Sequence, residues 1–135
     1  MSLPDYLLGT WEVDRALEDA AAGTGRFRGR ATFSRDGDGL TWVETGEMRL
    51  GGYAGPARRE LRIVPADGAW EVRFADGRPF HRLDLSAGAW RMHHPCGADR
   101  YDGEFEVLGP DAFALRWSVT GPAKAQRLDA RYVRA

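Results

Sequence analysis

The chain has 135 residues, enough for one domain with one core. Hydrophobic residues make up 43% and charged residues 29%, and 19 basic against 20 acidic side chains give a net charge of −1. This balance argues against the basic surface that nucleic acid or an anionic membrane would require, and no apolar run is long enough to span a bilayer.

In chain order, apolar residues alternate with polar ones over about 7–16, 26–35, 39–50, 57–65, 69–75, 80–86, 89–95, 99–108, 112–120 and 124–134. Turn chemistry separates these runs, as at Asp36-Gly37-Asp38-Gly39, Gly51-Gly52, Pro65-Ala66-Asp67-Gly68 and Asp76-Gly77-Arg78-Pro79. Leu17–Gly25 is the exception: Leu17 to Ala22 reads as one helical turn stopped by Gly23. About ten short strands with short connections form an antiparallel meander. Without helices to cover a sheet, the sheet must close on itself. The expected fold is all-β, a single up-and-down antiparallel barrel over 1–135, with an interior wide enough for a small ligand.

Registers follow from the turns. Leu85 is expected opposite Trp90, Leu83 opposite Met92 and His81 opposite His94. Further on, Val107 meets Phe113, Phe105 meets Leu115, Gly103 meets Trp117, Trp117 meets Leu128 and Phe113 meets Tyr132.

The informative anomaly is polar. Arg15 follows Trp11 and Val13 in step two, and Glu44 falls between Trp42 and Met48. Arg59 precedes Leu61 and Ile63, His81 precedes Leu83, His94 follows Trp90 and Met92, and Asp99 precedes Tyr101 and Phe105. Alternate strand residues face opposite sides, so these groups point into the core, where a polar group needs a partner. With Lys124, most of them fall near one end of the barrel, whose loops read as the longer ones and therefore as a mouth.

Leu8-Gly9-Thr10-Trp11 resembles the opening of calycin barrels (lipocalins, fatty-acid-binding proteins, nitrobindin-like proteins), in which the Trp plugs the closed end. More specifically, the chain is similar to an uncharacterised bacterial and fungal family carrying a domain of unknown function. The likeness rests on Phe27-Arg28-Gly29, Asp76-Gly77-Arg78-Pro79-Phe80-His81, His94-Pro95-Cys96 with Asp99 and Tyr101, Trp117 to Lys124, and Tyr132-Val133-Arg134. It implies a calycin-like barrel and carries no assigned function. The terminal strands lack an Arg-x-Tyr carboxylate clamp and offer Arg131-Tyr132 in adjacent positions instead.

The leading expectation is a small-molecule binding protein. The apolar body of the ligand would lie on Trp42, Trp90 and Trp117, and its anionic or polar end would meet Arg15, Glu44, Arg59, His81, His94, Asp99, Tyr101 and Lys124. Glu44 with Arg15 and Arg59 reads equally as an internal ion network. An enzyme with His94 as base, Asp99 orienting it and Tyr101 as acid is the alternative, as are haem or metal binding through His94 or His81 and a packed interaction barrel. No standard metal spacing is present, and no cofactor can be named. The lone Cys96, expected to be buried, and the absence of a leader pattern point to a cytoplasmic protein, monomeric or homodimeric, with no nucleic-acid or membrane partner.

Overall fold

The computed structural model describes residues 2–135. A short helix α1 (Leu3–Leu7) precedes ten strands: β1 (Gly9–Asp19), β2 (Gly23–Asp36), β3 (Gly39–Leu50), β4 (Tyr53–Ala66), β5 (Ala69–Phe74), β6 (Pro79–Leu83), β7 (Ala89–Cys96), β8 (Asp99–Gly109), β9 (Ala112–Gly121) and β10 (Lys124–Arg134). They form one antiparallel sheet in the order β6-β5-β4-β3-β2-β1-β10-β9-β8-β7. The first strand pairs with the last, so the meander curls into a barrel with one seam, between β6 and β7. Gly29 and Gly46 face each other on β2 and β3, each so close to the other strand's backbone that a Cβ would collide with it. Such paired glycines let a sheet bend sharply enough to close.

One end is shut. Ser2 caps α1, its Oγ accepting from the Asp5 N–H at 3.2 Å, and Pro4 sits in the first turn, where no N–H is needed. Tyr6 donates its hydroxyl to the carbonyls of Gly109 and Ala112 at 2.9 and 3.1 Å. Trp11, fully buried, donates its indole N–H to the Leu7 carbonyl at 2.8 Å. Above this plug Phe105, Phe113 and Tyr132 stack at 4.6 and 4.3 Å between ring centroids, so aromatic side chains fill the lower half of the barrel.

The pairings Val107–Phe113, Phe105–Leu115, Gly103–Trp117, Trp117–Leu128 and Phe113–Tyr132 all occur. Three expectations need correction. Leu85–Trp90, Leu83–Met92 and His81–His94 do not pair in a ladder, because β6 and β7 lie side by side without one. Residues 17–25 form no helical turn. Leu17 pairs with Leu128, and the Asp19 carboxylate accepts from the Ala21 and Ala22 N–H groups at 2.8 and 2.9 Å, capping a tight turn from which Gly23 leaves at φ +86. The connections at the mouth end are also shorter than expected, since β2 and β4 already start at Gly23 and Tyr53.

Candidate functional site

Two layers of inward polar residues lie above the aromatic stack. The deeper one centres on Glu44, only 1% exposed. One of its oxygens accepts from Arg15 Nη2 at 2.8 Å and Arg59 Nε at 3.1 Å; the other accepts from Trp42 Nε1 at 3.0 Å and from the Tyr132 hydroxyl. Arg15 reaches Glu44 across β2, where Gly29 has no side chain and Ala31, the partner of Glu44, has only a methyl. Burial alone would raise the Glu44 pKa, but the charges of Arg59 and Arg15 and the hydrogen bonds hold it at about 2. Tyr132 is pushed the other way, by burial and by the Glu44 charge, and keeps its proton. Two guanidinium groups thus share one carboxylate. Arg15 is buried, while the Arg59 side chain remains 39% exposed.

The outer layer is an aromatic cluster at the rim. Phe80 stacks on Trp117 at 5.0 Å and on Phe74 at 4.7 Å, and it meets His81 and His94 edge-on at 4.8 and 5.2 Å. Trp117 can lie over β8 because its partner there is Gly103, where a Cβ would come within 2.7 Å of the indole. Tyr101 meets His94 edge-on at 5.8 Å, and Lys124 Nζ stands 3.5 Å from the Tyr101 hydroxyl.

His81 is buried, and its Nδ1 lies 2.6 Å from the Arg82 carbonyl. Burial pushes its pKa down to about 4 against the pull of that carbonyl, and the nearby His94 and Arg59 add to the effect.

The structure therefore assembles Arg15, Trp42, Glu44 and Arg59 in one network and His81, His94, Tyr101, Trp117 and Lys124 in another group. Asp99 lies over Gly121 at the rim. The three indoles expected to share a ligand are separated. Trp42 packs on Phe33 and Tyr132, Trp117 on Phe80, and Trp90 sits at the seam, donating its N–H to the Arg82 carbonyl at 2.9 Å. Among the described residues no hydrogen bond joins His94 to Asp99 or Tyr101, and no three His, Cys, Asp or Glu side chains converge as a metal ion would need. Cys96 is exposed at the rim rather than buried.

Phe80 is the site residue that the alternation missed. Strict alternation with His81 turns it outward, but the register of β5 and β6 shifts at Val72/Arg73 and frees Phe80 to fold over the mouth. The doublet Pro79-Phe80 after a turn was the available signal, because Pro cannot join a regular ladder.

A concavity of about 1080 Å³ lies outside the barrel across β1, β2, β9 and β10. Arg26, Arg28, Arg30, Arg116 and Arg131 line it with Asp14, and it is open to solvent; Arg26 and Arg116 are held by carboxylates. None of the inward polar residues borders it.

Among the described residues no helix is long and apolar enough to cross a membrane. The structure is similar to that of the S-type phycobiliprotein lyase CPES from Guillardia theta, with a TM-score of 0.69 and 9% sequence identity over 98% of this chain and 90% of that one. It is also similar to a de novo designed fluorescence-activating β-barrel, with a TM-score of 0.54 and 17% identity over 100% and 99% of the two chains. At these identities the likeness is one of fold. No curated protein matches the sequence. Residues 7–134 match the model of a family described as a family of unknown function, DUF6314, and the chain belongs to that family.

Proposed function

We propose that the protein is a cytoplasmic small-molecule binder whose ligand enters the mouth of the barrel, with a flat apolar body on Phe80 and Trp117 and an anionic end directed at Arg59. One observation carries the reading: Arg15 and Arg59 converge on the single carboxylate of Glu44, which leaves one positive charge uncompensated beside the aromatic cluster at the rim. A guanidinium in such surroundings favours a carboxylate or phosphate, and a mostly apolar pocket with few convergent polar groups is the usual form of a small-molecule site. Lys124 at the rim adds a further cation, and rings in edge and stacked contact can part to admit a flat ligand at modest cost. The barrel fold shared with the phycobiliprotein lyase and the fluorescence-activating design is compatible with this reading. Catalysis has weaker support, since His94 lacks an orienting hydrogen bond.

Titration with 2-naphthoate, a flat anion, tests the proposal. Saturable binding is expected, and Arg59→Met weakens it about tenfold through loss of a charge-assisted contact. Binding that is unchanged in Arg59→Met and His94→Ala, or absent altogether, contradicts it.

A further inference from the structure

Resting on that mouth site, the structure also specifies a second chemical feature of the ligand. The Arg82 carbonyl faces the seam, where no neighbouring strand supplies an N–H, and it takes two side-chain donors instead, Trp90 Nε1 at 2.9 Å and His81 Nδ1 at 2.6 Å. A carbonyl oxygen only accepts, so Nδ1 of His81 must carry the proton. Burial keeps the ring neutral, and the groups that face it, His94 on β7 and the guanidinium of Arg59 on β4, act in the same direction. A neutral imidazole with its proton on Nδ1 presents a bare lone pair at Nε2. Among the described residues, every fully buried side-chain nitrogen or oxygen has a hydrogen-bond partner. Nε2 of His81 has none, so it is not sealed in, and water can reach it within a mouth walled by Phe80, His94 and Trp117.

We infer that His81 is a specificity residue of this mouth, its Nε2 accepting a hydrogen bond from an O–H or N–H group of the ligand. Around it the guanidinium of Arg59 and the ammonium of Lys124 only donate, and the Tyr101 hydroxyl already accepts from Lys124; His94 is the other ring in the layer, with no hydrogen bond that fixes its tautomer. His81 supplies a neutral acceptor beside a cation. The ligand class it selects carries an anionic group and, on the same flat apolar body, a hydroxyl or amine. A site that reserves a half-buried acceptor discriminates against analogues that cannot donate to it, because the lone pair then loses water without gaining a partner.

Two measurements on the full chain decide this. Long-range proton–nitrogen correlation spectra of histidine-labelled protein at pH 7 should show His81 neutral with its proton on Nδ1; a proton on Nε2, or an imidazolium, overturns the inference. Calorimetric titration with a series of hydroxy-2-naphthoates, the hydroxyl at different ring positions, compares each with its methoxy counterpart and with unsubstituted 2-naphthoate. At least one hydroxyl isomer should bind about tenfold more tightly than both controls. His81→Phe, which keeps a flat ring, should abolish that preference, so that each hydroxyl isomer binds no more tightly than its methoxy counterpart. If His81→Phe does not fold, the Nε2 resonance of the unaltered protein decides: it moves on addition of the preferred hydroxyl isomer and stays in place with the methoxy control. Equal binding of all hydroxyl and methoxy compounds, with Arg59→Met still weakening them, overturns the role of His81 and leaves the mouth site standing. Failure of every naphthoate to bind removes both.

Discussion

The indole N–H of Trp90 donates to the carbonyl of Arg82 across the one seam of the barrel without a backbone ladder. A side chain thus closes a cylinder that main-chain pairing leaves open. Trp90→Phe keeps a ring in place and removes the donor. It should lower stability by about 1 kcal/mol in urea denaturation, the usual net worth of one hydrogen bond. Amide exchange should quicken at the N–H groups of β6, from Phe80 to Leu83, ahead of the rest of the sheet.

Glu44 accepts from two guanidinium groups at once, so its loss leaves Arg15 as a buried charge with the Tyr132 hydroxyl alone. Glu44→Ala should destabilise by about 3–5 kcal/mol, the range for breaking a buried ion pair. Removing both charges in Arg15→Met with Glu44→Leu should recover most of that loss, because apolar replacements need no partner. Thermal melts of the single and double variants check the pattern.

Stability should rise with pH in two separate windows. The unfolded chain protonates His81 near 6.5, whereas the folded chain does so only near 4. Between those values the unfolded state binds more protons, so stability is complete above 6.5 and falls by about 3 kcal/mol as pH drops to 4. Glu44, with its pKa held at about 2 rather than 4.5, contributes stability present above 4.5 and lost as pH falls towards 2. In a series of urea titrations, His81→Phe should flatten the upper window and leave the lower one intact.

Gly103 holds open the space in which the Trp117 indole lies, and an added Cβ would meet it at 2.7 Å. Gly103→Ala should displace Trp117 from its stack on Phe80, cost about 1–3 kcal/mol through overpacking, and weaken naphthoate binding. Tryptophan fluorescence and the same titration read the two effects.

Much of this architecture was legible because each hairpin from β8 to β10 joins alternating strands through a tight turn; only one register then places Phe105, Phe113, Trp117 and Tyr132 on one face. The Glu44 network was legible in part, since Arg15 and Arg59 stand on strands within reach, but alternation names faces rather than bonds and gave no sign of Tyr132 as a fourth partner. The β6–β7 seam was not legible. A two-residue turn permits a hairpin, whereas strand curvature around the whole barrel decides whether one forms. Phe80 escaped because a single register shift reverses the face of every residue beyond it. Helix α1 is too short for periodicity to reveal, and only its Ser2 cap and Pro4 marked it.

The most direct test of the account is a residue-resolved spectral map of 2-naphthoate binding in the unaltered protein. Perturbations centred on His81, His94, Tyr101 and Trp117, with Arg30 and Arg131 of the outer concavity unmoved, are the expected result. Perturbations confined to that outer face, with the mouth residues unchanged, would contradict it.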